Sequence, residues 1–419
     1  MERRLSGLLK LNHNALVISI TELIHDTGSH LIWSFWSLYV LKLGGGVEIL
    51  GLFTLMTGIS SIILHPVLGY VSDKVGRKKP VVIGGFIVSF FPLIMAFADS
   101  WVWLIPGVLL RAVDNGLWIT RQALFTDNIE SDKKGRSLAT FYTIMSLTAS
   151  FLPTFGGILL DSMGITQGFR IGLYFSFVTH LIQSALNAKY LSEPSRLSTP
   201  DRIQRGDLSR FIGEVVASIR NNRRFQAILL GQGILSFSQG LINQFTIIYV
   251  IQTIGLSKTE WGVISSLSSF SNLLLRIPIG TTVDRIGNLK GYIVGIVMQS
   301  TYPILFINSG FFSAILLCSI LNSLGGTFTQ MGREALLVDI MPKDERGMLL
   351  GSFAAISSQG GLSGSLSPTL GAFLWDSYGP IYNFYLASFL GGFSILYYYK
   401  NSKGLRDNLK NDKLGTVSK

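Results

Sequence analysis

The twelve residues GYVSDKVGRKKP, from Gly69 to Pro80, end a long apolar run with a glycine, an aspartate and three consecutive basic residues. The apolar run has about the twenty residues that a helix needs to cross the hydrocarbon core of a bilayer. The charged stretch is therefore either an ordinary loop between two buried helices or a hinge loop of a membrane protein that moves. The rest of the chain decides between these interpretations.

The composition of the 419-residue chain favours a membrane protein. Hydrophobic residues make up 48% of it and charged residues only 14%, whereas soluble proteins carry about 25% charged residues. The period-2 alternation of barrel strands is absent, so we predict an all-α integral membrane protein. Twelve apolar segments have the length of a membrane-crossing helix, at 14–40, 48–71, 81–98, 101–124, 138–160, 169–191, 225–251, 260–283, 289–307, 311–338, 348–375 and 380–399.

The distribution of the basic residues predicts the orientation of the chain. With a cytoplasmic N-terminus, 28 of the 35 Lys and Arg residues fall on the cytoplasmic side and three on the far side. This bias follows the positive-inside rule and predicts a multi-pass plasma-membrane protein with both termini in the cytoplasm. It also explains the net charge of +11, so no nucleic-acid partner is expected. No cleavage site follows the basic start MERRLSGLLK, so the first helix is expected to be retained.

The sequence repeats itself on either side of a polar central segment. PTFGGILLDSMG at 153–164 and PTLGAFLWDSYG at 368–379 share seven of twelve residues at an offset of 215. RQALFTDNIESDKKG at 121–135 aligns with REALLVDIMPKDERG at 333–347 at an offset of 212. GTTVDRIG at 280–287 copies the glycines and the aspartate of the opening stretch at an offset of 211.

Three repeats at nearly one offset predict two related six-helix halves in the same orientation. The predicted divisions are 1–190 for the first half, 191–224 for a cytoplasmic linker, 225–400 for the second half and 401–419 for a cytoplasmic tail. Parallel repeats of this kind place a binding site between the halves, near the middle of the bilayer.

These features together resemble the major facilitator superfamily. GYVSDKVGRKK matches the family pattern GxxxDxxGR, followed by basic residues, at every fixed position, and the weaker copy occupies the equivalent place in the second half. The resemblance covers essentially the whole chain. It implies two pseudo-symmetric six-helix bundles and a secondary active transporter with rocker-switch alternating access. The chain has no nucleotide, zinc or nucleophile-elbow motif, so neither an enzyme nor a cofactor or metal is expected.

The motif and its copy supply a predicted set of gating residues. Asp73 is expected to accept from the amides at a helix N-terminus, and Gly76 to form a turn with unusual backbone angles. Arg77 is expected to bridge to Asp127, which resembles the family's charge relay, and Arg121 is a second candidate partner. The complete predicted gating set is Gly69, Asp73, Gly76, Arg77, Arg121, Asp127, Gly280, Asp284, Gly287, Arg333 and Asp339.

Ionisable residues inside the apolar segments form the second predicted set, because a mid-helix charge costs roughly 2.5–3.5 kcal/mol and usually faces a cavity or partner. Glu22, Asp26 and His30 lie four residues apart and share one helix face. Arg111 and Asp114 are interpreted either as a static salt bridge or as a site where proton binding releases the arginine.

Uncharged polar residues and two pseudo-symmetric bases complete this set. His65 and Arg276 each precede a repeated aspartate by eight residues, which places them at equivalent depths. Gln232, Gln239 and Asn243 follow one face of the seventh segment, where they either line a substrate path or bond to neighbouring helices.

Three functional hypotheses follow from these patterns. The first is a proton-coupled exporter of small, partly apolar compounds. In its favour, PTFGG resembles the end of the antiporter pattern GPxxGG, although Leu152 replaces the first glycine. The second is a proton symporter or uniporter that imports a nutrient, and the third is a membrane sensor without transport. The expected partners are a small-molecule substrate, protons and membrane lipid, and we expect a monomer.

Overall fold

The computed structural model describes residues 12–127, 129, 134–193, 213, 217–341, 346–357 and 361–415. These residues are almost entirely helical and include no strand, which confirms the predicted all-α class. The predicted domain boundaries remain a prediction, and most of the central linker lies outside the described residues.

Six helical stretches form an N-terminal group. They are α1 (His13–Ile32 and Trp36–Lys42, joined by the 3₁₀ turn Trp33–Phe35), α2 (Val47–Val75), α3 (Lys78–Val88 and Phe90–Ala96), α4 (Ile105–Asp127, after the 3₁₀ turn Trp101–Leu104), α5 (Lys134–Met163) and α6 (Ile165–Tyr190). Asn12 caps α1 by accepting a hydrogen bond from the amide of Ala15 at 3.1 Å.

Six further stretches form a C-terminal group. They are α7 (Arg223–Asn243, continued by Thr246–Ile248 and the π-helical Tyr249–Ile254), α8 (Lys258–Ile286), α9 (Asn288–Ile307), α10 (Phe312–Ile340), α11 (Arg346–Ser357 and Leu362–Tyr378) and α12 (Pro380–Gly415). Asn222 caps α7 through the amide of Phe225, as Asn12 caps α1.

Seven of these helices are long and apolar enough to cross a membrane by length and composition, among the described residues. They are α2, α3, α4, α5, α7, α8 and α10. The chain is therefore a multi-pass membrane protein. The crossing of the other helices, including the acid-bearing α1, remains a prediction.

The backbone reproduces the sequence repeat at the ends of two helices. Gly76 ends α2 with φ of 92° and ψ of 155°, and Gly287 ends α8 with φ of 94° and ψ of 146°. Positive φ values of this kind are open to glycine and strained for other residues. The matching angles are independent support for two related halves.

The two groups meet along α5 with α8 and along α2 with α11. The contact is close because glycines face backbone: a Cβ added at Gly262 would lie 3.0 Å from the Cα of Thr154, and one at Gly51 would lie 2.9 Å from that of Thr369. Small residues at such crossings let transmembrane helices approach one another.

A hydrogen-bonded latch joins α5 to the start of α8. The Asp161 carboxylate accepts from the amides of Lys258 and Thr259 at 3.3 and 2.8 Å and from the Thr259 hydroxyl at 2.7 Å. The Lys258 ammonium lies 3.1 Å from the same carboxylate. An anion is favourable here because the N-terminus of a helix carries partial positive charge. This end of the molecule is called the latch end, and the opposite end, with Gly76 and Gly287, the motif end.

Candidate functional site

A buried ionic cluster joins α1, α4 and α6. The Arg121 Nε lies 2.7 Å from Glu22 Oε1, and the Arg121 Nη1 and Nη2 lie 3.1 and 3.2 Å from Asp114 Oδ1. Gln183 of α6 donates to Glu22 at 3.0 Å. The side chains of Glu22, Asp114 and Arg121 are 1%, 8% and 3% exposed. Two carboxylates therefore flank one guanidinium inside the molecule.

His25 connects this cluster to a third carboxylate. Its Nδ1 lies 3.1 Å from Asp26 Oδ1, and its Nε2 lies 3.2 Å from Asp114 Oδ2. A neutral imidazole donates from one nitrogen and accepts at the other. Both contacts are therefore hydrogen bonds only when the ring is protonated or one of the two acids is. This geometry allows a proton to pass between Asp26 and Asp114 through the ring.

His180 of α6 packs against His25, with ring centroids 4.0 Å apart. One ring nitrogen of each histidine and one Asp114 oxygen lie within 4.8 Å of one another, a spacing that a metal ion would also accept. However, the guanidinium of Arg121 already lies beside Asp114, so a divalent cation bound there would face a second positive charge. The arrangement suits a proton better than a divalent cation.

The cluster opens into a cavity of about 400 Å³ between α1, α4 and α5, called the acidic cavity. Asp26 is the most exposed of the three acids, with 20% of its side chain accessible. His30 also lines the cavity, and its Nδ1 lies 2.8 Å from the Thr148 hydroxyl. The common face predicted for Glu22, Asp26 and His30 is thus the wall of one cavity.

Arg111 does not form the static salt bridge that was one interpretation of its spacing from Asp114. Within the described residues no ion pair joins them, because Asp114 is held by His25 and Arg121. The Arg111 Cζ instead lies 3.6 Å from the centroid of the Trp33 ring. There it lines a second cavity of about 250 Å³, the central cavity, between α1, α2 and α4 on one side and α7 and α11 on the other.

The polar stripe of α7 includes one residue that bonds to a neighbouring helix and two that line cavities, and a substrate path along it remains a prediction. Gln232 accepts from the Tyr292 hydroxyl at 2.8 Å and is buried in a contact between helices. Gln239 and Asn243 line a third cavity of about 270 Å³, and Asn243 lines the central cavity as well. The stripe therefore turns from interhelical bonding to cavity lining along its length.

His65 and Arg276 have different surroundings despite their equivalent positions. His65 faces α4, where a Cβ added at Gly116 would lie 3.8 Å from its ring, and its Nε2 lacks a hydrogen-bond partner among the described residues. Arg276 places its Cζ 5.3 Å from the ring of Tyr142, which lines the acidic cavity. A cation of α8 thus approaches the wall of a cavity formed by the N-terminal group.

The predicted gating residues are placed in three ways. Gly69 lies within α2, and the side chains of Asp73 and Asp127 lie outside what the structure describes. Arg121 belongs to the buried cluster, because seven residues bring it back to the helix face of Asp114. Arg333, its repeat equivalent, has a guanidinium nitrogen 4.0 Å from the Glu334 carboxylate.

The motif loop is held by a residue that the sequence interpretation missed. Glu193, after α6, accepts from the amides of Arg77 and Lys78 at 2.6 and 3.0 Å. In the second copy, Asn288 donates to Asp339 at 3.2 Å. These two residues occupy the positions of Arg77 and Asp127, so the copy shows a bond at the place predicted for that pair. Gly280, Asp284 and Asp339 line a cavity of about 450 Å³ beside it.

The predicted sets also contained none of the cluster residues Gln183, His25 and His180. His25 carried a detectable signal, because it lies three residues after Glu22 and so shares its helix face. Gln183 carried none, since the spacing along α6 does not reveal which side chain of α1 it meets. Glu22 aligns with Gln232 at the offset of 210 that relates the capping residues Asn12 and Asn222, and Gln183 aligns with Tyr398 at the offset of 215. A neutral amide that is hydrogen-bonded to Tyr292 therefore takes the place of the Glu22 carboxylate in the C-terminal group.

Comparison with known proteins gives one family and several relatives. The model of the Major Facilitator Superfamily matches residues 18–235 and again 228–418. Multidrug resistance protein MdtG of Proteus mirabilis is 26% identical over 88% of this chain and 91% of its own length. Multi-drug resistance efflux pump PmrA of Streptococcus pneumoniae is 23% identical over 88% and 90%. The solved structure of the human organic anion transporter MFSD10 has a TM-score of 0.70 at 14% identity, over 92% of this chain and 98% of that one.

Proposed function

Because this chain belongs to the major facilitator superfamily and is a membrane transporter of small molecules rather than an enzyme, we propose that it exports small, partly apolar compounds in exchange for protons. The observation that carries this proposal is the cluster of Glu22, Asp114 and Arg121 beside a cavity, linked to Asp26 by His25. Two relatives named as multidrug resistance and efflux proteins support the direction and the substrate class.

Asp26 is the proposed entry point for the proton. It is the acid most accessible from the cavity, and the His25 ring connects it to Asp114. A proton that reaches Asp114 removes a negative charge from beside Arg121 and so weakens an interaction of the guanidinium within α4. Loading and release of the proton thereby change the forces among α1, α4 and α6, which belong to one group of helices.

Alternating access is proposed to proceed by rocking of α1–α6 against α7–α12. The latch of Asp161 and the glycine contacts join the two groups at the latch end, so opening that end requires these contacts to break. We propose that the latch end faces outward and the motif end faces the cytoplasm, with both termini inside. The plasma membrane and a monomeric state complete the proposal.

The test uses the full-length protein in proteoliposomes with ethidium as the probe and an imposed pH gradient. Wild type is expected to move ethidium against its gradient, and a protonophore to abolish this. Asp26→Asn removes the titratable group, so gradient-driven transport is expected to fall by about a hundredfold, a typical contribution of a positioned acid or base. Exchange of ethidium at equal pH is expected to continue.

The matched control is Asp99→Asn, which removes an exposed acid near the latch end, and its transport is expected to equal that of wild type. A wild-type response of Asp26→Asn to the pH gradient would remove Asp26 from the mechanism. Uptake of a nutrient instead of export would overturn the proposed direction, and binding without any flux would indicate a sensor.

A further inference from the structure

Arg111 is a membrane-embedded cation that makes no direct ion pair with an acid in the described part of the chain, although Asp114 lies one helical turn away and favours its charge. Within the described residues, no carboxylate forms an ion pair with it, while Arg121 on the same helix has two. An unpaired charge at this depth costs several kcal/mol, and residues of this kind usually face a ligand or an ion pathway. Arg121 is therefore a structural cation, whereas the guanidinium of Arg111 is available to bind a ligand.

The guanidinium of Arg111 contacts Trp33. Its Cζ lies 3.6 Å from the ring centroid, close enough for a cation–π contact. Such a contact is compatible with hydrogen bonds from the N–H donors to a carboxylate or a similar anion. Arg111 also lines the central cavity, so an anion in that cavity lies within reach of the guanidinium.

The central cavity combines this cation with two aromatic rings, several uncharged polar side chains and contacts from both groups of helices. Trp36 and Phe53 line it from α1 and α2, with ring centroids 6.0 Å apart, and Asn243 and Gln244 line it from α7. Its volume of about 250 Å³ is below the roughly 300–1,000 Å³ of typical ligand pockets, which limits the occupant to a small ligand. A site between the two repeats is also where parallel-repeat transporters hold their substrate.

We propose that the central cavity is a substrate subsite for small aromatic molecules that carry one anionic group, which Arg111 binds while Trp36 and Phe53 contact the ring. The inference rests on the proposed transport function and adds an anionic substrate class to it, so the cationic probe ethidium tests the exporter while the sulfonate tests this subsite. The acidic cavity is separate but adjoining, because Asn115 lines both. The protein therefore keeps its anion-binding group apart from the carboxylates that carry the proton.

The test compares two probes of the same shape, 2-naphthalenesulfonate and its neutral sulfonamide. Their binding to the full-length protein is measured by calorimetry in nanodiscs of phosphatidylcholine alone, so that no anionic lipid competes for Arg111. We expect the sulfonate to bind at least about tenfold more tightly than the sulfonamide, or about 1.4 kcal/mol. Arg111→Gln is expected to abolish this preference and leave binding of the sulfonamide within about twofold.

Two further variants separate charge from structure. Arg111→Lys keeps the charge without the planar donor group, so an intermediate preference is expected. Arg223→Gln removes an exposed arginine at the start of α7 and is expected to keep the full preference. If Arg111→Gln fails to fold, the affinity for the sulfonate relative to the sulfonamide is compared between wild type and Arg111→Lys. Equal preferences in these two proteins would overturn the role of the Arg111 guanidinium.

The outcomes distinguish this inference from the proposed function. Equal affinity of wild type for the two probes, with proton-driven ethidium transport intact, overturns the anion subsite and leaves the exporter. A preference for the sulfonate that depends on Arg111, without proton-driven flux of either ethidium or the sulfonate, supports the subsite and overturns the exporter. A preference that persists in Arg111→Gln assigns the anion to another group and overturns the role of Arg111.

Discussion

Arg121 contributes to the stability of the fold through its contacts with two buried carboxylates. It is 3% exposed and lies against Glu22 and Asp114, so removal of its charge leaves two buried carboxylates without a cation. Loss of one partner from a buried ion pair costs about 3–5 kcal/mol. We expect Arg121→Gln to lower the free energy of unfolding in detergent micelles by this amount.

The double variant Arg121→Gln with Glu22→Gln is expected to recover part of the lost stability, because it removes one of the orphaned charges. Arg333→Gln is the matched control at the repeat-equivalent position, where the nearest carboxylate in the described part of the chain is 4.0 Å away. Its effect is expected to be below about 1 kcal/mol, as for weakly coupled pairs. Similar losses from Arg121→Gln and Arg333→Gln would contradict the view that the cluster stabilises the fold.

The helices α5 and α8 depend on glycine where they cross. A Cβ at Gly262 would meet the backbone of Pro153 and Thr154, which cannot move aside as a side chain can. Gly262→Ala is therefore expected to separate the two helices and to lower the initial rate of transport by at least about tenfold, equivalent to 1.4 kcal/mol. Initial rates in proteoliposomes, normalised to inserted protein, measure this effect.

Gly392→Ala is the control for that substitution, since a Cβ at Gly392 meets nothing within 4 Å. Its rate is expected to match that of wild type. A Gly262→Ala protein with an unchanged rate would show that α5 and α8 do not need to approach this closely during transport.

The positions of the helices and of the repeated turns could be predicted from the sequence, whereas the breaks within helices could not. Eleven of the twelve apolar segments agree with the helices to within a few residues because length and hydropathy are local properties. The last helix, α12, continues past the predicted end at 399 to Gly415, where the sequence is polar. The repeat predicted Gly76 and Gly287 as equivalent turns, and their backbone angles agree closely. The breaks at Trp33–Phe35 and Tyr249–Ile254 had no sequence signal, since each depends on packing against other helices.

The candidate site was predictable only in part, because it depends on contacts between helices as well as on spacing within them. Spacing along α1 correctly grouped Glu22, Asp26 and His30, because helix periodicity decides which side chains share a face. It suggested a bond between Arg111 and Asp114 that the structure does not contain. Tertiary packing decides which side chains meet across helices, such as His25 and Asp114. The spacing of residues within one helix gives no information on these contacts.

At the scale of the whole molecule, the Asp161 latch is expected to set the balance between conformations. Asp161→Ala removes three hydrogen bonds and one ion pair between α5 and α8. Hydrogen bonds to charged groups contribute about 1.5–3 kcal/mol each when well formed. The variant is therefore expected to favour the state that is open at the latch end.

A cysteine reporter measures that shift. In a Cys318→Ser background, Asn243→Cys places a thiol in the central cavity, and an impermeant maleimide is added from the latch side. We expect Asp161→Ala to speed labelling by at least about tenfold, for a shift of 1.4 kcal/mol or more. Asp99→Ala, at the same end but bonded to Arg170 within the N-terminal group, is the control. Labelling that does not respond to Asp161→Ala would show that other contacts hold this end closed.

The unequal charge of the two repeats has a consequence for the energised membrane. Glu22 is ionic where its counterpart Gln232 is neutral, so the buried cluster of ionised side chains belongs to the N-terminal group. An elementary charge that moves through a full membrane potential gains or loses about 2.3 kcal/mol per 100 mV. If the groups rock as proposed, the cluster moves with α1, α4 and α6 and the membrane voltage acts on its net charge. The charge that Asp26 and Asp114 carry at each step therefore decides how strongly the voltage favours one conformation.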